Sequence, residues 1–163
     1  MTVTDVRKDP TALTMTITSE WDAPIATVWQ LWADPRKLER WWGPPTYPAT
    51  VIEHDLCPGG KVSYFMTSPE GAQYHGWWKI VTVDEPNRLD FEDGFADTEG
   101  NPNEAMPTTQ STVTFVALPS GATRMLIEAR FPSRQAMDQM IEMGMEEGLA
   151  GAMSQIDAIL ASA

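Results

Sequence analysis

The sequence predicts an α+β domain in which a curved antiparallel sheet of about six to seven strands grips one long C-terminal helix. Three observations carry that expectation. Apolar residues alternate with a period of two across most of residues 13–131, tight turns join those stretches, and a four-residue apolar period takes over from Ser133 onward. A sheet face built this way has to be covered, and a helix of ~40 Å, at 1.5 Å per residue, is the only element long enough to cover it. The 163 residues suit one domain, expected over 13–163 after a flexible polar arm at 1–12.

The elements follow in order. Leu13, Met15 and Ile17 alternate with Thr14, Thr16 and Thr18, the mark of a half-buried strand. Two short helices come after this first strand. Pro24 opens one, with Ile25, Val28, Trp29 and Trp32 at three- and four-residue spacing. Asp34-Pro35 caps the other, which carries Leu38, Trp41 and Trp42 and stops at Gly43-Pro44-Pro45. Strands then alternate with the turns Pro58-Gly59-Gly60, Pro69-Glu70-Gly71, Glu85-Pro86-Asn87 and Pro119-Ser120-Gly121. Residues 94–109 are acidic and aperiodic, the pattern of a long loop or lid in which Phe95 and Met106 are stranded apolar residues. Met137, Ile141, Met145, Leu149, Met153, Ile156 and Leu160 define the apolar stripe of a helix from Ser133 to about Leu160.

Composition narrows the function. Eleven basic residues against 23 acidic ones give a net charge of −12. Such a surface repels phosphate backbones and anionic lipid headgroups, so neither nucleic acid nor a membrane is expected as partner. One cysteine, Cys57, rules out an internal disulfide. The opening MTVTDVRKDP lacks the apolar run of a signal peptide, and a cytoplasmic location is expected. Seven Trp and ten Met suit an aromatic-lined cavity with adaptable walls, and equally a large solid core.

Five stretches resemble a known family. They are WDAPIATVWQLWADPRKLERWWGP from Trp21, EHDLCPGGKVSYFM from Glu53, GWWKIVTVDEPNRLDFEDGF from Gly76, STVTF from Ser111 and GMEEGLAGAMSQIDAIL from Gly144. Together they are similar to homologues of the heat-shock-protein-90 ATPase activator, in the START-like, Bet v 1-like (SRPBCC) helix-grip superfamily. Trp41-Trp42-Gly43-Pro44 and Asp55-Leu56-Cys57-Pro58-Gly59-Gly60 are the most specific pieces. The resemblance implies a helix-grip fold, and its members include lipid and polyketide carriers, cyclases, hydrolases and co-chaperone domains. This chain departs from the pattern twice: Cys57 stands where the turn motif usually has Arg, and Leu149 where many members have Trp.

No residue set announces chemistry. His54 and His75 fall on different predicted strands with no ligand spacing to Cys57, so no metal is expected. Cys57 lacks neighbours that stabilise a thiolate. Asp90, Glu92, Asp93, Asp97, Glu99 and Glu104 do not follow calcium-loop spacing and read as a solvated loop. GxSxG, GxGxxG, P-loop and HExxH motifs are missing, and no cofactor is expected.

The expected function is therefore binding of a small apolar molecule between sheet and helix. The candidate lining is Trp41, Trp42, Tyr64, Met66, Trp77, Phe95, Met106, Met140, Met143 and Gly144. Gly144, Gly148 and Gly151 suggest either close helix–sheet packing or a bend at Gly144 that makes a mouth of Met140, Met143 and Met145. A cyclase- or hydrolase-type enzyme is the alternative, with Tyr64, Tyr74, His75 and Arg130 as candidate groups. A co-chaperone-like interaction module or a homodimer completes the set of readings.

Overall fold

The computed structural model describes residues 2–162. The chain runs β1 (Thr2–Asp9), β2 (Thr14–Trp21), α1 (Ile25–Ala33), α2 (Pro35–Trp41), β3 (Ala49–His54), β4 (Lys61–Thr67), β5 (Gln73–Asp84), β6 (Arg88–Ala96), β7 (Thr109–Ala117) and β8 (Thr123–Arg130). Three helical segments follow: α3 (Arg134–Glu142), α4 (Met145–Met153) and α5 (Ile156–Ala161). The strands form one open antiparallel sheet in the order β1-β2-β8-β7-β6-β5-β4-β3, confirming the predicted α+β class. Helices α1 and α2 carry the chain from β2, near one edge, to β3 at the other.

Two expectations are corrected. Residues 2–9, read as part of a flexible arm, form β1 on the edge of the sheet, paired with β2 from Thr2↔Glu20 to Asp9↔Thr14. This makes eight described strands instead of six or seven, and puts the short helices after the second strand. An edge strand has a partner on one side only, so β1 shows no buried alternation to read.

The single long helix is also corrected, into three segments. The first break falls at Gly144, whose φ of +87° lies in the left-handed region. Glycine adopts that conformation without the Cβ clash other residues meet. The second break, around Ser154 and Gln155, lets the Gln155 amide donate to the Gly43 carbonyl at 2.6 Å, which ties the chain end to the close of α2.

The capping signals operate as read: the Asp34 side chain accepts from the Arg36 N–H, and Ser133 from the Ala136 N–H. Helix α2 also covers the free edge of β3, since Glu39 Oε2 accepts from the Val51 N–H and Arg36 donates to the Val51 carbonyl, each at 3.1 Å.

The core fills the concave face of the sheet. Met15, Ile17 and Trp21 of β2, Met125 and Ile127 of β8, Val113 and Phe115 of β7, and Leu89 and Phe91 of β6 all turn inward. Trp32 is fully buried and makes edge-on contacts with Trp41 (4.9 Å between centroids) and Trp42 (5.6 Å). It also lies 6.0 Å from Trp78, which stacks on Phe91 at 4.2 Å. Aromatic pairs of this kind contribute about 0.5–1.5 kcal/mol each beyond their buried area. No described helix is long and apolar enough to cross a membrane.

The break at Gly144 makes a prediction whose sign is decisive. In a continuous helix, Gly144→Ala stabilises by about 1 kcal/mol. With positive φ required there, the same substitution destabilises by about 1–2 kcal/mol, because a Cβ meets nothing closer than Glu147 Oε2 at 3.8 Å and only backbone strain acts. Urea unfolding of the variant, with an unchanged m-value, reads the difference.

Candidate functional site

Strand alternation decides which side chains reach the space between sheet and helices. On β4, Tyr64 and Met66 point inward. Gly76 of β5 lies opposite Tyr64, and any side chain there would overlap the phenol ring; glycine is what lets the ring lie flat across β5. On β6 the inward set is Leu89, Phe91, Asp93 and Phe95, three apolar residues and one acid. Ser111 of β7 and Ile127 and Ala129 of β8 complete the sheet wall. Trp42 and Pro44 close one side, while Met140 of α3 and Met145, Gly148 and Leu149 of α4 form the roof. The space between them is a cleft of about 260 Å³ that opens to solvent, just below the usual range for small-molecule sites.

Helix α4 is pinned over this space by an ion pair between Lys8 of β1 and Glu146. The pair raises the Lys8 pKa, chiefly through its hydrogen bond to Glu146. The roof is therefore attached to the edge strand β1.

Among the described residues the lining holds one carboxyl group, that of Asp93, with no basic side chain beside it in the lining. Asp93 Oδ2 accepts from the Ser111 hydroxyl at 3.3 Å. Burial pushes the Asp93 pKa up to about 7; the Ser111 hydrogen bond opposes the rise and the charge of Glu92 adds to it. Tyr64 is raised above the ordinary phenol range, first by burial and then by Asp93. The Trp42 and Trp78 indoles stand edge-on to the Tyr64 ring, each 6.2 Å away between centroids. Their N–H groups close no hydrogen bond, although their proximity counters part of the rise at Tyr64.

The structure divides the sequence candidates. Trp42, Tyr64, Met66, Phe95 and Met140 line the cavity. Trp41 is fully buried and donates to the Leu31 carbonyl at 2.9 Å, so it is core. Trp77 is on the outer face, across Gly94, with its N–H on the Phe95 carbonyl at 3.0 Å; its inner-facing neighbour is Trp78. Phe95 belongs to β6 and not to a loop, whereas Met106 faces an outer hollow shared with Trp77 and Pro132. Met143 is exposed at the end of α3, and Gly144 acts through the break that starts α4.

Of the groups considered for catalysis, Tyr64 alone reaches the cavity. Tyr74 is exposed, His75 packs on Phe65, and Arg130 borders a polar hollow on the outer face. His54 Nε2 lies 2.9 Å from the Trp32 carbonyl at the end of α1. Cys57 is exposed, and its hydrogen bond to Asp55 raises the thiol pKa, keeping it protonated.

Asp93 is the residue that sequence reasoning missed. The run from Asp90 to Glu104 read as one acidic loop, but only part of it is loop. Asp97 organises that part, accepting from the Glu99 and Asn101 N–H groups at 2.9 Å each. Asp90 sits on the outer face against Arg88 and Thr112. The alternation Leu89, Phe91, Asp93, Phe95 was the available signal, and it places the acid on the apolar face.

Burial of Asp93 makes stability depend on pH. Its folded pKa is raised, so its contribution is fully present below the unfolded value near 4 and is lost as pH climbs to about 7. Asp93→Asn removes that loss. The variant is expected to exceed the parent at pH 8 by about 2 kcal/mol, allowing for water screening in the cavity, with the difference vanishing near pH 4. Paired denaturation curves at the two pH values measure it.

Comparison with known proteins places this architecture. The crystal structure of protein Ms6760 from Mycobacterium smegmatis superposes with a TM-score of 0.90 at 49% identity, covering 98% of this chain and 97% of that one. The solution structure of a protein from Arthrobacter aurescens gives 0.94 at 48% identity, over 99% and 94% of the two chains. A Staphylococcus epidermidis protein gives 0.82 at 25% identity, over 99% and 94%. No curated protein matches. Residues 22–161 match the family described as Activator of Hsp90 ATPase homolog 1-like protein. With nearly the whole helix-grip domain inside that match, the chain belongs to the Activator of Hsp90 ATPase homolog 1-like family.

Proposed function

We propose that the protein binds a small, predominantly apolar molecule between the sheet and helices α3 and α4. The observation that carries this reading is the cavity of about 260 Å³, walled by Trp42, Tyr64, Met66, Phe91, Phe95 and Leu149 and roofed by a helix interrupted at Gly144. Large aromatic and Met side chains normally fill a core; here they border open space instead. Methionines 66, 140 and 145 give that wall conformational adaptability. Membership of a family whose fold commonly holds hydrophobic ligands supports the same reading.

Burying ~200 Å² of ligand surface at ~25 cal/mol per Å² supplies about 5 kcal/mol before association costs. A compound with no specific polar contact is therefore expected to bind only in the millimolar range or more weakly.

A second reading, a cyclase- or hydrolase-type enzyme, draws support from the meeting of Tyr64 and Asp93 on the same cavity. A carboxyl poised near 7 suits proton transfer at neutral pH. Binding is the simpler reading, because it needs the space and nothing else.

Filling the space tests it. Leu149→Trp puts an indole where an isobutyl group now borders the cavity. Calorimetric affinity for 1-naphthylmethanol, a neutral probe, is expected to fall by about tenfold or more, with the unfolding midpoint held or raised. Undiminished binding by that folded variant would contradict a site in this cavity.

A further inference from the structure

We infer that the ligand is a small apolar amine, held with its ammonium group against Asp93. This rests on the cavity reading above and names the chemistry of its occupant. Asp93 interrupts an apolar strand face between Phe91 and Phe95, and its carboxyl receives one hydrogen bond, from Ser111. Among the described residues, no Lys, Arg or His lines the cavity to balance it. Asp93 is half-buried among apolar side chains, where a carboxylate left unpaired is costly, so an occupant that brings the missing cation gains what the protein does not supply.

The surroundings favour a cation over a neutral hydrogen-bond donor. Trp42, Tyr64, Phe91 and Phe95 border the same space, and aromatic faces attract an ammonium group. A charge-assisted hydrogen bond is roughly twice as strong as a neutral one. The same features turn away fatty acids and other carboxylates, which would meet Asp93 within a protein of net charge −12.

The titratable and charged groups around Asp93 fix the pH dependence. Tyr64 faces it from β4, and Glu92 adjoins it on β6 with its own carboxylate held by Gln110 on the other face. The roof residues Met140, Met145 and Leu149 carry no charge. With Asp93 titrating near 7, amine binding below that pH has to expel its proton, so affinity rises from pH 6 to pH 8.

Three probes of matched shape test the inference: 1-naphthylmethylamine, 1-naphthylmethanol and 1-naphthoic acid, titrated calorimetrically into the parent protein and Asp93→Asn. In the parent at pH 8 the amine is expected to bind about tenfold more tightly than the alcohol, and the acid more weakly than either. In Asp93→Asn the amine and alcohol should converge, with a cooperative urea-unfolding transition of the variant as the check on folding. An alcohol or acid that matches the amine in the parent overturns the inference and leaves the cavity reading standing. An amine preference that survives in Asp93→Asn overturns it as well. If no probe binds either protein, the cavity reading falls with it.

Discussion

The structure depends on one packed cluster, in which Trp32 of α1 meets Trp41 and Trp42 from α2 and its end, and Trp78 and Phe91 from the sheet. Edge-on contacts of Trp42 with Trp32, Trp41 and Trp78 combine with the stack of Trp78 on Phe91 to bring five large rings together. The cluster packs the short helices against the concave face of the sheet. Beyond Trp42 and Tyr64 on the same face, Met66, Phe91, Phe95 and Met140 border open space instead of filling it. The cavity is the consequence of that division.

Two further constraints keep the open space from collapsing. Gly76 allows the Tyr64 ring to lie across β5, so the floor stays low. The interruption at Gly144 starts α4 on a new path, and Lys8 on the sheet edge and Gln155 beyond α4 hold the segment from either side. A wall this apolar makes a lone carboxyl conspicuous. Asp93 is stable there because it shares its charge with a proton near neutral pH and accepts from Ser111.

Much of this was readable from the sequence for a physical reason. Alternation and turn chemistry are local, and Met15, Ile17, the Pro58-Gly59-Gly60 turn and the Asp34 cap all behave as their neighbours dictate. Trp42, Tyr64, Met66, Phe95 and Met140 were reachable because aromatic and Met residues on inward faces had to border either core or cavity. The choice between Trp77 and Trp78 was not local: it depends on which face of β5 meets Phe91, a matter of pairing with β6. Strand β1 was hidden because an edge strand of Thr, Val and charged residues with no regular alternation buries little. Asp93 was hidden because five other acids along residues 90–104 made a solvated loop the natural reading, although its strand phase was already set. The helix break was legible only as one of two readings of the glycines, a bend at Gly144 or close packing, because an apolar period of four persists across Gly144 even where the backbone does not.

Crystallographic soaking with 1-bromonaphthalene, located by the anomalous scattering of bromine, tests the central claim most directly. The account predicts a single strong peak between Tyr64, Met140 and Leu149, with the ring inside the sheet and the α4 backbone in place. A peak only in the outer hollow beside Trp77 and Met106, or none with Leu149 packed onto Tyr64, would contradict it.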